Sequence, residues 1–362
     1  MGSAGGDKVC RGGDTECDSQ FAVRHSLLAI GGERPPSTLA LLAYRESRIA
    51  LGTLYFVPDI SVTDLGHDLY QIDAFMHDEE HRLACYLFDT PNRMLIECGP
   101  SSSIHHLYDA LASIGVDDVA VMAVSHIHLD HAGGAGHFAE RFPNARIGVH
   151  AKGAPHLGSP DRLWASAERI YGTEGMLRLW GTMEPVDPDR LLILEEGSRI
   201  PLGGQRFVEV MYTPGHAQHH IVFFEDDSGG GFIGDAVGIA FPHGHMVQPV
   251  TPPPDFDPRL VDQQLARIGR RDPAFLGFAH YGVREGSTDH LRQASERLWD
   301  WVGWVEAAGV DRDLTAAMRE WVLSGYRDEG YDEETIAQYD RNTFWPMQAQ
   351  GIQRWLRLRD SA

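Results

Sequence analysis

The chain has 362 residues, 43% hydrophobic and 23% charged, an ordinary soluble composition long enough to bury a large core. Its formal charge is −21, a field that repels phosphate backbones and anionic lipid surfaces, so neither nucleic acid nor membrane is an expected partner. No apolar run nears the ~18 residues of a membrane span, the Gly-rich polar start lacks a basic-then-apolar leader, and four cysteines are too few for a disulfide scaffold, so a cytoplasmic location is expected.

In chain order, residues 1–65 read as an irregular extension with Gly31-Gly32 and Pro35-Pro36 punctuation and short strands around Thr38–Tyr44 and Ile49–Phe56. Strands and helices then alternate to about residue 283. Leu69–Phe75, Ala84–Phe88 and Arg93–Cys98 are apolar runs of strand length. Ser102–Ile114 has helical spacing, and Val119–Val124 is a continuous apolar run expected to be a buried strand. A helix is expected over Gly133–Phe142, a strand over Arg146–Val149, and a mostly helical insert over Pro160–Trp180. Leu191–Leu194, Phe207–Tyr212, Ile221–Phe224 and Phe232–Ile233 read as strands, Asp257–Ile268 as a helix and Ala274–Ala279 as a final buried strand. Residues 284–362 are helical in pattern, in three segments, with a tryptophan load expected to pack on the domain over 66–283.

The chemistry is concentrated where strands end. Ser125-His126-Ile127-His128-Leu129-Asp130-His131 follows the Val119–Val124 run. Imidazole and carboxylate are the donors preferred by zinc and its borderline neighbours, and three histidines with an aspartate in six residues serve neither a core nor a surface. Three more donors each follow a separate apolar strand: His216 in Thr213-Pro214-Gly215-His216, Asp235 in Ile233-Gly234-Asp235, and His280 in Phe278-Ala279-His280. Any one alone reads as a turn; the four stretches together read as a metal site.

This motif order resembles the metallo-β-lactamase superfamily, in its glyoxalase II-like and lactonase-like branch. The resemblance covers about residues 66–283 and implies an α/β fold, an αββα sandwich, here followed by a C-terminal helical extension. It assigns His126, His128 and His216 to one metal, Asp130, His131 and His280 to a second, and Asp235 to both. Two divalent ions are implied, zinc first, with iron and manganese as alternatives. Glu97 departs from the family, which usually has Asp before the Cys/Thr-Gly pair. His128 stands where the diiron flavoproteins of the superfamily carry Glu, which argues against that branch.

The expected function is therefore a metallo-hydrolase that uses a metal-bridged hydroxide to open an acyl bond, thioester or lactone, in a small molecule, with Asp130 orienting the nucleophile and carrying a proton. His243, His245 and Tyr281 are the first candidates for substrate contact, and His219 and His220 for buttressing His216. Two other classes stay open: an iron-dependent oxidoreductase of the persulfide dioxygenase-like branch, because these donors also take iron, and a non-catalytic ligand-binding member. Homo-oligomer formation is also left open, with residues 1–65 and the tail helices as candidate interfaces.

Overall fold

The computed structural model describes residues 61–242 and 246–361. These lie in the compact unit Pro58–Ala362. The expected strands Thr38–Tyr44 and Ile49–Phe56 lie outside the described residues, as do Cys10, Cys17, His243 and His245.

Two mixed sheets form the centre. The first runs β1 (Val62–Asp64), β2 (Leu69–Asp73), β3 (Ala84–Phe88), β4 (Met94–Ile96), β5 (Val121–Ala123), β6 (Arg146–His150) and β7 (Leu191–Leu194), side by side in chain order. It is antiparallel from β1 to β4 and parallel from β4 to β7. The second holds β8 (Arg199–Gly203), β9 (Arg206–Tyr212), β10 (Ile221–Glu225), β11 (Gly230–Gly234), β12 (Phe275–Phe278) and β13 (Gly282–Glu285), antiparallel except between β11 and β12.

The side-chain period of a strand is two, so consecutive residues face opposite layers. In β3, Ala84, Tyr86 and Phe88 join the core between the sheets. Cys85 and Leu87 join a second core under Leu107, Leu111 and Phe138 of the helices Ile104–Ser113 and Ala135–Arg141. In β10, Ile221 and Phe223 face inward, while Val222 and Phe224 meet Leu265 and Ile268 of the helix Pro258–Arg270. Both strands are buried on both faces, which is why they read as unbroken apolar runs. The result is an αββα sandwich, as expected.

The tail differs from expectation in its count. Four helices are described, not three: Ser287–Ala308, Thr315–Asp328, Glu333–Asn342 and Trp345–Ser361. The last two are separated at Thr343-Phe344, where the Thr343 hydroxyl donates to the Tyr339 carbonyl. Trp301, Tyr326, Trp345 and Trp355 of these helices extend the hydrophobic core that Phe232 and Tyr86 form between the sheets. Among the described residues no helix is long and apolar enough to cross a membrane.

Candidate metal centre

The seven expected donors converge at one edge of the sandwich. β5 ends at Ala123, and the loop after it delivers His126 and His128; the short helix Leu129–Ala132 then carries Asp130 and His131. From the second sheet, His216 follows β9, Asp235 follows β11 and His280 follows β12. Glycines permit the two tight approaches. Gly234 has φ +50°, and a Cβ there would lie 2.6 Å from the Ser125 side chain. Gly215, with φ +147°, passes so near the helix Pro258–Arg270 that a Cβ would lie 2.7 Å from the Val261 nitrogen. Both positions favour glycine for φ as well as for space.

His126, His128 and His216 form one group of donor atoms that could hold an ion, Asp130, His131 and His280 another, and Asp235 also groups with His126 and His131. His128 Nδ1 lies 2.8 Å from His126 Nε2 and 3.1 Å from His216 Nε2. Asp235 Oδ2 is 3.5 Å from His216 Nε2 and 4.0 Å from His126 Nε2. Its other oxygen, Oδ1, is 3.5 Å from His131 Nε2 and 3.8 Å from His280 Nε2. Asp130 Oδ2 is 3.5 Å from His280 Nε2. Donors held at 2.0–2.1 Å around one tetrahedral ion sit about 3.4 Å apart, and these separations bracket that figure. His131 Nε2 and Asp235 Oδ1 are buried with no hydrogen-bond partner among the described residues. Buried polar atoms are seldom left so, and a cation between the groups satisfies both; the residues fit metal ions.

Hydrogen bonds behind the donors fix which ring nitrogen faces the site. His280 Nδ1 donates to the Arg82 carbonyl, and His216 Nδ1 donates to the Val250 carbonyl at 3.3 Å. His126 Nδ1 meets the Ser125 hydroxyl at 3.0 Å. In each ring this leaves Nε2 facing the cluster. Glu97, only 1% exposed, places Oε1 3.2 Å from His131 Nδ1 and accepts from the Ser125 backbone N–H at 3.4 Å. It reaches there from a left-handed backbone, φ +68°. The longer arm thus meets His131 from behind. The expectation that His220 braces His216 is corrected: His220 Nε2 accepts the Asp235 backbone N–H at 3.1 Å, and its Nδ1 bonds the Thr213 hydroxyl at 2.7 Å. His219 accepts from the Ile127 N–H at 3.4 Å, so it supports the 126–128 loop.

The two halves differ electrically. Burial, then repulsion among neighbouring imidazoles, pushes His126 well below its usual range, and burial with His216 beside it takes His128 down to about 3. Both stay neutral, the form that ligates. Burial also disfavours charge on His131, but the carboxylates of Asp130, Asp235 and Glu97 outweigh it and raise His131.

The centre opens on one side. The Asp130 side chain is 27% exposed, against 10% for His280, 5% for Asp235 and none for His131. Beside Asp130 runs the loop between β2 and β3. The buried Asp73 carboxylate clamps it, accepting from Phe75 N–H at 2.9 Å and His81 N–H at 2.7 Å. Within it Phe75, His77, Asp78 and His81 all have positive φ, at roughly 1–3 kcal/mol each for non-glycine residues. Facing the loop, the Trp180 ring lies 5.2 Å from His77 and 5.4 Å from Tyr171, and Tyr171 lies 5.6 Å from Phe344 of the tail. Tyr171 is within electrostatic reach of Asp130, and burial first, that carboxylate second, pushes its phenol up to about 12. Tyr281 is buried, its ring 4.8 Å from His81. Sequence reasoning named the insert carrying Tyr171 and Trp180, and missed Asp73, His77 and Arg82. A crowded His77-Asp78…His81-Arg82 loop between two apolar strands was the available signal.

A sequence model of the metallo-beta-lactamase superfamily matches residues 84–280. A metallo-beta-lactamase fold-containing protein of Sulfurisphaera tokodaii, ST1585, is 29% identical over 241 residues, 65% of this chain and 86% of that protein. A hydroxyacylglutathione hydrolase of Synechococcus sp. is 25% identical over 156 residues, 42% of this chain and 48% of that protein. An acyl-coenzyme A thioesterase of Gallus gallus is 29% identical over 188 residues, 48% of this chain and 64% of that protein. The solved structure of ST1585 superposes with a TM-score of 0.58 at 23% identity, covering 79% of this chain and 98% of its own, a likeness of fold.

Proposed function

The chain belongs to the metallo-beta-lactamase superfamily, and from that premise we propose that it is a dinuclear metallo-hydrolase, zinc-dependent, that cleaves an acyl bond of the thioester or lactone class in a small molecule. The observation that carries the reading is Asp235, which turns one carboxylate oxygen to His216 and His126 and the other to His131 and His280. His126, His128 and His216 would hold one ion, Asp130, His131 and His280 the other, with Asp235 between them. When bound, such ions supply Lewis acidity, making water nucleophilic at neutral pH and polarising an acyl carbonyl.

The chain's own groups do the rest. The backing bonds from Arg82, Val250 and Ser125 hold three imidazoles in ligating orientation. His220 fixes the peptide that aims Asp235. Asp130, the carboxylate at the opening, is placed to orient a water and pass a proton to the leaving group. The names of the Synechococcus and Gallus gallus relatives, an acylglutathione hydrolase and an acyl-coenzyme A thioesterase, support acyl hydrolysis as the reaction class.

The test pairs metal content by elemental analysis with a panel of acyl thioesters, lactones and phosphodiesters. Two ions per chain and hydrolysis of an acyl substrate, both lost in Asp235→Ala, are expected. Oxygen uptake with an iron-loaded protein that leaves every ester intact refutes the hydrolase reading in favour of the oxidoreductase. Full activity in a variant that has lost its metal refutes both.

A further inference from the structure

Two buried nitrogen atoms beside the open side of the centre have no hydrogen-bond partner among the described residues, Arg82 Nε and Trp180 Nε1, while the His77 ring near them bonds the Leu179 backbone. Arg82 matters most. Its side chain is only 15% exposed, and its one ion pair among the described residues is with Glu79 at 3.5 Å, a carboxylate 49% exposed. A guanidinium has five N–H donors in a fixed fork, and a cation taken this far from water is normally paired and hydrogen-bonded. Arg82 also lies within electrostatic reach of Asp130 and of a second guanidinium, Arg341, from the tail helices. His77 feels both Arg82 and Asp130, and its ring packs on Trp180. These donors ride on, or pack against, a loop held in a strained conformation by Asp73. Strain maintained at the rim of a site, with buried donors left open, is the pattern of a preorganised receptor for a ligand.

We propose that Arg82, with His77 on the same loop and Trp180 facing it, receives an anionic group of the substrate, a carboxylate or a phosphate, and so makes this centre selective for acidic acyl compounds. The inference rests on the acyl-hydrolase reading and names its substrate class. The planar guanidinium fork matches either oxyanion bidentately. Arg341 adds positive potential from the tail side, and beside Trp180 the rings of Tyr171 and Phe344 pack against each other. The carbonyl of Arg82 orients His280. Because that contact is backbone, side-chain substitution separates anion recognition from ligand orientation.

The experiment uses the full chain loaded with zinc and two matched substrate pairs. One pair is mono-4-nitrophenyl glutarate against 4-nitrophenyl pentanoate, which differ by a carboxylate on the acyl part. The other is butyryl-4′-phosphopantetheine against butyryl-pantetheine, which differ by one phosphate on the leaving group. Arg82→Gln should lower the charged-to-uncharged ratio of kcat/KM by about 10- to 100-fold in one pair, through KM, and Arg82→Lys should restore part of it; the affected pair identifies which end carries the anion. An unchanged ratio in both pairs overturns the proposal. So does a Tm lowered by several degrees in Arg82→Gln, since a guanidinium kept for structure would be missed by the fold and one kept for a ligand would not. If the parent protein cleaves none of the four substrates, the hydrolase reading fails separately. The anion site is then read by calorimetry with glutarate and inorganic phosphate, where equal binding to parent and Arg82→Gln overturns it.

Discussion

Replacing Glu97 by glutamine tests whether the carboxylate behind His131 matters. The side chain is 1% exposed, with Oε1 3.2 Å from His131 Nδ1 and Oε2 3.4 Å from the Ser125 N–H. Glutamine preserves length and volume, so neither a cavity nor a backbone shift confuses the result. It removes the negative charge that faces His131 Nδ1 and leaves one oxygen where there were two, so either the close His131 contact or the Ser125 N–H bond is lost. Removing an outer partner of a ligating histidine costs about 10- to 100-fold in metal affinity, which is about 1.4–2.7 kcal/mol at 1.36 kcal/mol per decade. The loss should fall on the ion held by Asp130, His131 and His280, since the His126, His128 and His216 group does not include His131. Competition against a chromogenic zinc chelator resolves the two binding steps. One step should weaken by that factor while the other moves by less than about threefold. Two steps that weaken equally, or none that weakens, would refute the assignment of Glu97 to His131.

Asp235→Ala should abolish turnover and reduce bound metal at both sites, with circular dichroism unchanged; retention of one full-affinity ion would show that Asp235 serves only one of them. Chelation should lower Tm, and zinc should restore it, by an increment that grows with free zinc: at a thousandfold over Kd, each site contributes about 4 kcal/mol. His220→Phe leaves the Asp235 N–H buried without an acceptor, at a cost of about 1–3 kcal/mol, so chemical denaturation should show that loss together with a fall in kcat. Trp301→Ala, buried in the core that joins the tail helices to the sheets, should cost about 3–5 kcal/mol in one cooperative transition; a separate early transition of the tail would show that residues 287–361 fold independently.

The cluster of donors was legible because each stretch that carries them follows an apolar strand, a pattern local in sequence. The strand interiors were legible for the same reason: β3 and β10 are buried on both faces and carry no polar interruption. What escaped were edges and rims. β8 includes Pro201 and β13 is short and polar, and both lie at the ends of the second sheet, where one side of the ladder is unpaired and the hydrophobic signal is weakest. In the tail, the break at Thr343-Phe344 carries no glycine to mark it, unlike those at Gly309 and Gly330. The support for His131, and the correction that His220 braces Asp235 and not His216, depend on contacts across 15 residues or more. The Asp73-clamped loop gave only a crowded run of polar residues, because its left-handed conformations are held by one buried carboxylate within the loop and follow no regular period.

The provenance of the donors has a mechanical consequence. His126, His128, Asp130 and His131 come from the first sheet, while His216, Asp235 and His280 come from the second. Neither triad is complete within one sheet, so the centre works as a gauge of the spacing between them. A slide of a few tenths of an ångström between the layers alters every separation between donors of different sheets at once, however remote its cause. Tyr86 and Phe232, whose rings meet 4.8 Å apart in that interlayer, therefore act as shims. Trimming either would retune the centre from beneath, and a survey of activity-altering substitutions should find positions in this aromatic layer as well as at the rim.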